Sequence, residues 1–163
     1  MDGYEPAVRD VRMWLSRGLV AGAAGTTALY AATYLDMAVR GRPASDTPKQ
    51  SVQRLSEVLN VPLSGDDEAR DARAAGIGSA LGQSVGLTIG LVLGSLRSVG
   101  WPRSQAGRIG VGWALAMTVG NGPMTALGVT DPRAWTRSEW LSDAIPHLAY
   151  AVAATATLDA FDR

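Results

Sequence analysis

Asp143 and His147 are the two side chains of this sequence best placed to do chemistry together. They are four residues apart, so on a continuous helix they share a face, and Tyr150 lies one further turn along it. An ionisable pair in an apolar segment could relay protons or bind a cation. In the structural alternative, which we favour, Asp143 caps or precedes the helix, Pro146 occupies its first turn and His147 donates to a neighbouring helix.

Two more polar residues complete the candidate polar site. Asp36 ends the first apolar segment, where we expect it at a membrane interface. Asn121 lies inside the third apolar segment, and we expect it to form a hydrogen bond across a helix contact rather than to bind a ligand. The site predicted from the sequence therefore consists of Asp36, Asn121, Asp143, His147 and Tyr150.

A serine motif invites an enzymatic interpretation that the sequence does not support. Residues 82–86 read G-x-S-x-G, but that pattern marks a nucleophile only after a strand and at a sharp turn. Here both glycines belong to a regular repeat in an apolar segment. An intramembrane protease of the rhomboid kind would pair Ser84 with His147. Rhomboids, however, carry G-x-S-G and a six-helix core, and this chain has neither. We predict no enzyme and no catalytic residue.

Composition narrows the classes of ligand. The chain has no cysteine, and its acidic turn at 64–68 does not have the spacing of an EF-hand loop, so we predict no metal site and no cofactor. Fifteen basic residues balance fifteen acidic ones, with no basic cluster interleaved with aromatic residues. Nucleic acid is therefore not an expected partner.

Five glycines recur at every fourth position of the uncharged segment 74–96: Gly78, Gly82, Gly86, Gly90 and Gly94. In water, each interior glycine costs a helix about 1 kcal/mol relative to alanine. In lipid, the backbone must stay hydrogen-bonded, so the segment is helical despite that cost. The repeat traces a groove in which another helix can approach closely. It predicts a glycine-zipper membrane helix.

Four segments are candidate membrane spans, at about 18–38, 74–96, 109–130 and 141–158. The first has an uncharged run of about 18 residues, Gly18 to Leu35, and we interpret it as an uncleaved anchor rather than a signal peptide. The third contains residues 121–123, Asn-Gly-Pro, which should kink or open it. The fourth is short, and it spans only if its ends snorkel or lie at the interface.

The polar connection 39–73 joins the first two spans. Thr47 and Pro48 predict an N-cap and a first-turn proline, and a helix is expected over about 48–60. Val52, Leu55, Val58 and Leu59 lie on one face of it. We expect a helix that covers the end of the bundle or lies at the headgroups; docking of a partner is the alternative.

Basic residues in the short loops predict the orientation. Arg97, Arg103 and Arg108 flank the turn between spans two and three with no acidic residue among them, which favours a cytoplasmic turn and cytoplasmic termini. The polar connection argues against this orientation, because it would then face outward with six basic residues. Four tryptophans near span ends fit an aromatic belt without deciding the direction: Trp14, Trp101, Trp135 and Trp140.

The order of these parts resembles a known group of proteins. The strings Thr33-Tyr34-Leu35-Asp36-Met37 and Arg40-Gly41-Arg42-Pro43 precede the amphipathic helix and the glycine-rich span, and Pro146-His147-Leu148-Ala149-Tyr150 lies in the last span. This order is similar to small actinobacterial integral membrane proteins of uncharacterised function and, more distantly, to the YagU-like inner-membrane family. The resemblance covers most of the chain. It implies a four-helix membrane protein and no known activity.

Together these patterns predict one all-α membrane domain, residues 1–163, with four spans, a glycine-zipper second span and one short amphipathic interfacial helix. We expect a non-enzymatic, structural or associative protein of the inner membrane, whose partners are the bilayer and a second copy or another membrane protein. The main alternative is a small transporter or proton-linked channel using Asp143 and His147. An intramembrane enzyme is the weaker alternative.

Overall fold

Five α-helices form the fold: α1 (Glu5–Arg40), α2 (Thr47–Val58), α3 (Asp67–Ser98), α4 (Gln105–Ala126) and α5 (Arg137–Ala160), with a 3-10 turn at Pro132–Ala134 before α5. The computed structural model describes residues 5–162, and their side chains from residue 11 onward. This range contains no β-strand. The fold class is all-α.

Side-chain caps set where three of the long helices begin. Asp66 accepts a hydrogen bond from the backbone N–H of Ala69 at the start of α3, and Ser104 caps α4 in the same way. At α5, Thr136 and Glu139 bond to each other's backbone N–H groups in a capping box. These bonds satisfy donors that the first turn of a helix leaves unpaired.

The helix starts correct two expectations. The N-cap of α2 is Asp46 rather than Thr47, and Asp46 makes no side-chain capping bond. Because α5 begins at Arg137, Pro146 lies inside the helix and not in its first turn, and Asp143 is not its cap. Helix α4 also continues through Pro123 to its end at Ala126.

The closest helix contact joins α1 to α3, which run antiparallel. A Cβ atom added to Gly18 would lie 2.5 Å from the carbonyl oxygen of Gly90, and one added to Gly22 would lie 2.8 Å from that of Gly86. Gly94 lies against the backbone of Trp14. Backbone therefore packs on backbone, and larger residues at these glycines would force the helices apart.

The glycine repeat of α3 serves more than one neighbour. Gly78 faces α2, where a Cβ atom would lie 2.7 Å from the carbonyl oxygen of Pro48. Gly82 has a single neighbour within 4 Å, the hydroxyl of Tyr30 at 3.6 Å. Only part of the repeat, from Gly86 to Gly94, forms the tight contact with α1.

The remaining helices pack around this pair. Helix α1 also packs along α5, and α4 packs mainly on α5 and less on α3. The buried interior consists mostly of small residues, with few large side chains: Ala21, Val52, Ala74, Ile89, Leu93, Ala116, Tyr150, Ala151, Ala154, Thr155 and Leu158. A narrow interior of this kind lets the helix axes approach closely.

Large apolar side chains lie on the outside of all four long helices. They are Leu19 and Val20 on α1; Ile77, Leu81, Leu87 and Val92 on α3; Trp113 and Val119 on α4; and Leu141, Ile145, Leu148 and Val152 on α5. Among the described helices, α3 is the one long and apolar enough by composition to cross a membrane, and 28% of its most apolar window is buried.

Candidate functional site

Three of the predicted site residues meet where α4 lies against α5. The side-chain amide of Asn121 donates a 2.8 Å hydrogen bond to Oδ2 of Asp143. The Nδ1 atom of His147 lies 2.7 Å from the backbone carbonyl oxygen of Asp143 and 3.5 Å from its Oδ1. All three side chains are partly buried. We call Asn121, Asp143 and His147 the polar trio.

The backbone of α4 shapes the space for the histidine ring. A Cβ atom on Gly120 would lie 3.1 Å from Nε2 of His147, so the missing side chain lets the ring approach α4. About two turns earlier in α4, Nε1 of Trp113 donates a 3.0 Å hydrogen bond to the carbonyl oxygen of Ala144. The two contacts hold the α4–α5 pair in register around the trio.

The chemistry open to the trio follows from its donors and acceptors. A neutral His147 with its proton on Nδ1 donates to the carbonyl of Asp143 and leaves Nε2 as a proton acceptor facing α4. The carboxylate of Asp143 accepts from Asn121. Among the side chains described, those of residues 11–162, no three His, Asp or Glu are grouped as a metal ion would require.

Tyr150 does not join the trio. Its hydroxyl donates a 2.6 Å hydrogen bond to the carbonyl oxygen of Gly86 on α3, and its ring lies against Gly25 of α1. It is the largest fully buried side chain among the described residues, with 1% of its surface exposed. Tyr150 therefore joins three helices and is not available to a ligand.

Asp36 also lies apart from the trio. Its carboxylate pairs with Arg40 and Arg42, and Arg40 reaches on to the hydroxyls of Ser138 and Ser142. These bonds tie the end of α1 to the first turns of α5. The geometry is that of a link between helix ends.

An ion network at the opposite end of the bundle was not identified from the sequence. Arg97 at the end of α3 and Arg108 near the start of α4 both pair with Asp159 of α5, at 3.3 Å and 3.0 Å. Arg97 also contacts Asp162. The sequence around these arginines gives no sign of the pairing, because their partner Asp159 is more than 50 residues away along the chain. Among the described residues, Arg103 forms no ion pair.

The serine motif has no catalytic geometry. Helix α3 is continuous through residues 82–86, and the hydroxyl of Ser84 donates to the carbonyl oxygen of Ala80 in its own helix. A nucleophile elbow requires a strand followed by a sharp turn, and neither is found there.

The trio lines neither of the two best-defined cavities of the bundle. One, of about 20 Å³, lies at the Arg97–Arg108 end of the bundle. The other is an open cleft of about 270 Å³ between the polar face of α2 and residues 127–129 after α4. The trio therefore lies outside both spaces.

Comparison with known proteins leaves the family open. The chain matches no protein-family model, no curated protein and no solved structure. Function is inferred from the residues and their packing.

Proposed function

We propose that this chain is an integral membrane protein of four spans with a structural or associative role and no enzymatic activity. The proposed spans are about 18–38 in α1, 74–96 in α3 and 141–158 in α5; of the third, predicted at 109–130, only 109–126 is helical, because α4 ends at Ala126. Lipid is the solvent of the bundle, and a second copy or another membrane protein is the partner. The resemblance to small actinobacterial and YagU-like membrane proteins agrees with this proposal.

The distribution of side-chain size is the observation that carries the proposal. Alanine and glycine fill much of the interior, whereas leucine, isoleucine and valine line the outside of the long helices. In water, such a surface would expose large apolar patches, which soluble monomers rarely tolerate. In a bilayer the same surface is favourable, and close packing of small residues holds the helices together.

Helix length and aromatic position support four spans. At 1.5 Å per residue, the 22 residues of α4 and the 24 of α5 reach about 33 and 36 Å, enough for a hydrocarbon core of about 30 Å. The fourth span, at about 141–158, is therefore part of the longer helix α5, which extends beyond it at both ends. Trp14 lies beside Gly94 at one end of the bundle, and Trp135 and Trp140 pack edge to face at the other. Tryptophans at both ends fit two membrane interfaces.

Satisfaction of the polar groups supports a structural role for the trio. Asn121 and Asp143 are hydrogen-bonded to each other, and His147 to its own helix. Such bonds offset the cost of placing polar groups within a membrane protein. None of the three lines either cavity that was located.

Proton-linked transport is the second candidate function. It is favoured by one observation: an ionisable carboxylate and an imidazole from α5 meet an amide from α4 inside a proposed membrane segment. Ionisable groups at such depth mark ion pathways in many membrane proteins.

Purified protein in proteoliposomes distinguishes the two functions. A structural protein conducts no protons under a pH gradient or a membrane potential, alone or in the presence of candidate solutes. Proton flux that is lost in both Asp143→Asn and His147→Gln would overturn the structural proposal in favour of transport.

A further inference from the structure

The small cavity lies where the ends of α3 and α5 meet the start of α4. Its volume is about 20 Å³. Apolar side chains form most of the wall, and Arg97, Arg108 and Thr155 add polar groups to it. Thr155 is 3% exposed and Trp101 is 52% exposed, so the cavity runs from the buried core to the end of the bundle.

Three buried polar atoms of the adjoining ion network have no hydrogen-bond partner among the described residues. They are Nε of Arg97, Nε of Arg108 and Oδ1 of Asp159. Both arginines use Nη2 to reach the carboxylate of Asp159. Two N–H donors therefore remain, and leaving them unpaired would be costly. Oδ1 of Asp159 has only its 3.3 Å ionic contact with Nη2 of Arg97.

We propose that this cavity is a binding site for a single water molecule. The water accepts a hydrogen bond from each Nε–H group of Arg97 and Arg108 and donates one to Oδ1 of Asp159. A water needs roughly 10–15 Å³ and two to four polar partners. The cavity has the volume, Arg97 and Arg108 line it, and Asp159 adjoins it through its ion pairs with both arginines. The site goes beyond the proposed function and does not depend on it.

The chemistry of the lining selects water over ions. The guanidinium groups of Arg97 and Arg108 line the cavity and repel a cation, and their ion pairs with Asp159 and Asp162 neutralise them, which weakens any attraction for an anion. A neutral molecule that both donates and accepts satisfies all three atoms. The cavity is also too small for a phosphate headgroup. The bound water completes a clamp that holds the α3–α4 turn on the end of α5.

A high-resolution structure of the purified full-length protein tests the site directly. The expected result is one ordered water oxygen about 3 Å from the Nε atoms of both Arg97 and Arg108. Protein acceptors bonded to both Nε atoms, or a cavity with no ordered water at a resolution that shows other buried waters, would overturn the proposal.

Substitution of Thr155 provides a second test, because the expected change in Tm has opposite signs for a cavity that holds water and for a dry one. Thr155→Ile places an additional methyl group where the water is proposed, so it should strand the three polar atoms and lower Tm by about 2–8 °C. In a dry cavity, the same methyl group would fill empty space and raise Tm. Thr157→Ile, on the same helix but outside the cavity, is the control, and it includes the loss of a hydroxyl that donates to the carbonyl oxygen of Ala153. A Tm for Thr155→Ile equal to or above that of the control contradicts the water site.

Discussion

The hydroxyl of Tyr150 donates a 2.6 Å hydrogen bond to the carbonyl oxygen of Gly86. This bond connects α5 to the point where α1 and α3 touch, since Thr26 of α1 also contacts Gly86. The Tyr150 ring lies on Gly25 in the same region. Three helices thus share one junction that is built from a tyrosine and two glycines.

Tyr150→Phe tests the hydrogen bond at this junction. The ring and its packing remain, but a buried hydroxyl bond is lost, so we expect the free energy of unfolding to fall by about 0.5–1.5 kcal/mol. Tyr34→Phe is the matched control, because Tyr34 is 61% exposed. Equal melting temperatures for the two variants in detergent would show that the Tyr150 bond contributes nothing.

Leucine at Gly86 or Gly90 should separate α1 from α3. A side chain at either site meets α1, and at Gly90 the neighbours are the backbones of Gly18 and Gly22, which cannot move aside cheaply. We expect the free energy of unfolding of each variant to fall by about 1–3 kcal/mol, which is more than the loss in Leu87→Ala. Thermal unfolding in detergent measures the difference.

The control for the glycine variants is Gly76→Leu. Gly76 belongs to the same helix, but a Cβ atom there meets nothing within 4 Å. Its Tm should equal or exceed that of the wild type because leucine favours helix more than glycine does. If Gly86→Leu and Gly90→Leu also melt with the wild type, the close α1–α3 contact is wrong.

The capping box of α5 should be visible in a titration. The backbone N–H and the hydroxyl of Thr136 both donate to the carboxylate of Glu139 and lower its pKa below 4.5. Because the pKa in the folded protein is depressed, the contribution to stability is present at neutral pH and is lost as the pH falls through the folded pKa. An NMR titration of the Glu139 carboxyl should show this lowered midpoint, and Thr136→Ala should raise it. An unchanged midpoint in Thr136→Ala contradicts the capping box.

The polar trio should matter for stability rather than for flux. His147→Gln and Asp143→Asn keep hydrogen-bonding capacity, so both variants should fold with losses of about 1 kcal/mol. Asn121→Leu removes the donor to the carboxylate of Asp143 and should cost more, about 1–3 kcal/mol. Tm and proton flux are measured on the same preparations. A larger loss in His147→Gln than in Asn121→Leu would contradict this assignment.

Some features of the fold could be predicted from single segments of the sequence. Helix α2 was expected from Pro48 and from the spacing of its apolar residues, and the observed helix spans Thr47–Val58. Pro146 as a first-turn residue predicts a start of α5 that is too late, since the helix begins at Arg137. The sequence Thr136-x-x-Glu139 carries the correct signal, a capping box about ten residues earlier.

Other features depend on partners that are distant in the sequence. Tyr150 lies one turn from His147, and this spacing predicts a shared site. Its ring instead packs on Gly25 of α1, and its hydroxyl bonds to Gly86 of α3. Arg97 and Arg108 carry no local sign of Asp159, because the antiparallel packing of three helix ends creates that pairing. Helical periodicity reports faces within one helix and not the partner that covers each face.

The side of the membrane reached by each loop tests four spans most directly, and the cysteine-free chain makes single-cysteine labelling clean. With cytoplasmic termini, cysteines at Ser64 and at Arg133, in the α4–α5 loop, should react with a membrane-impermeant thiol reagent in intact cells. A cysteine at Ser98 should react only after permeabilisation. Reaction at Ser98 with protection at both other sites would invert the orientation and keep four spans. If only α3 crosses the membrane, Arg133 and Ser98 lie on the same side, and identical labelling of these two positions would contradict the four-span account.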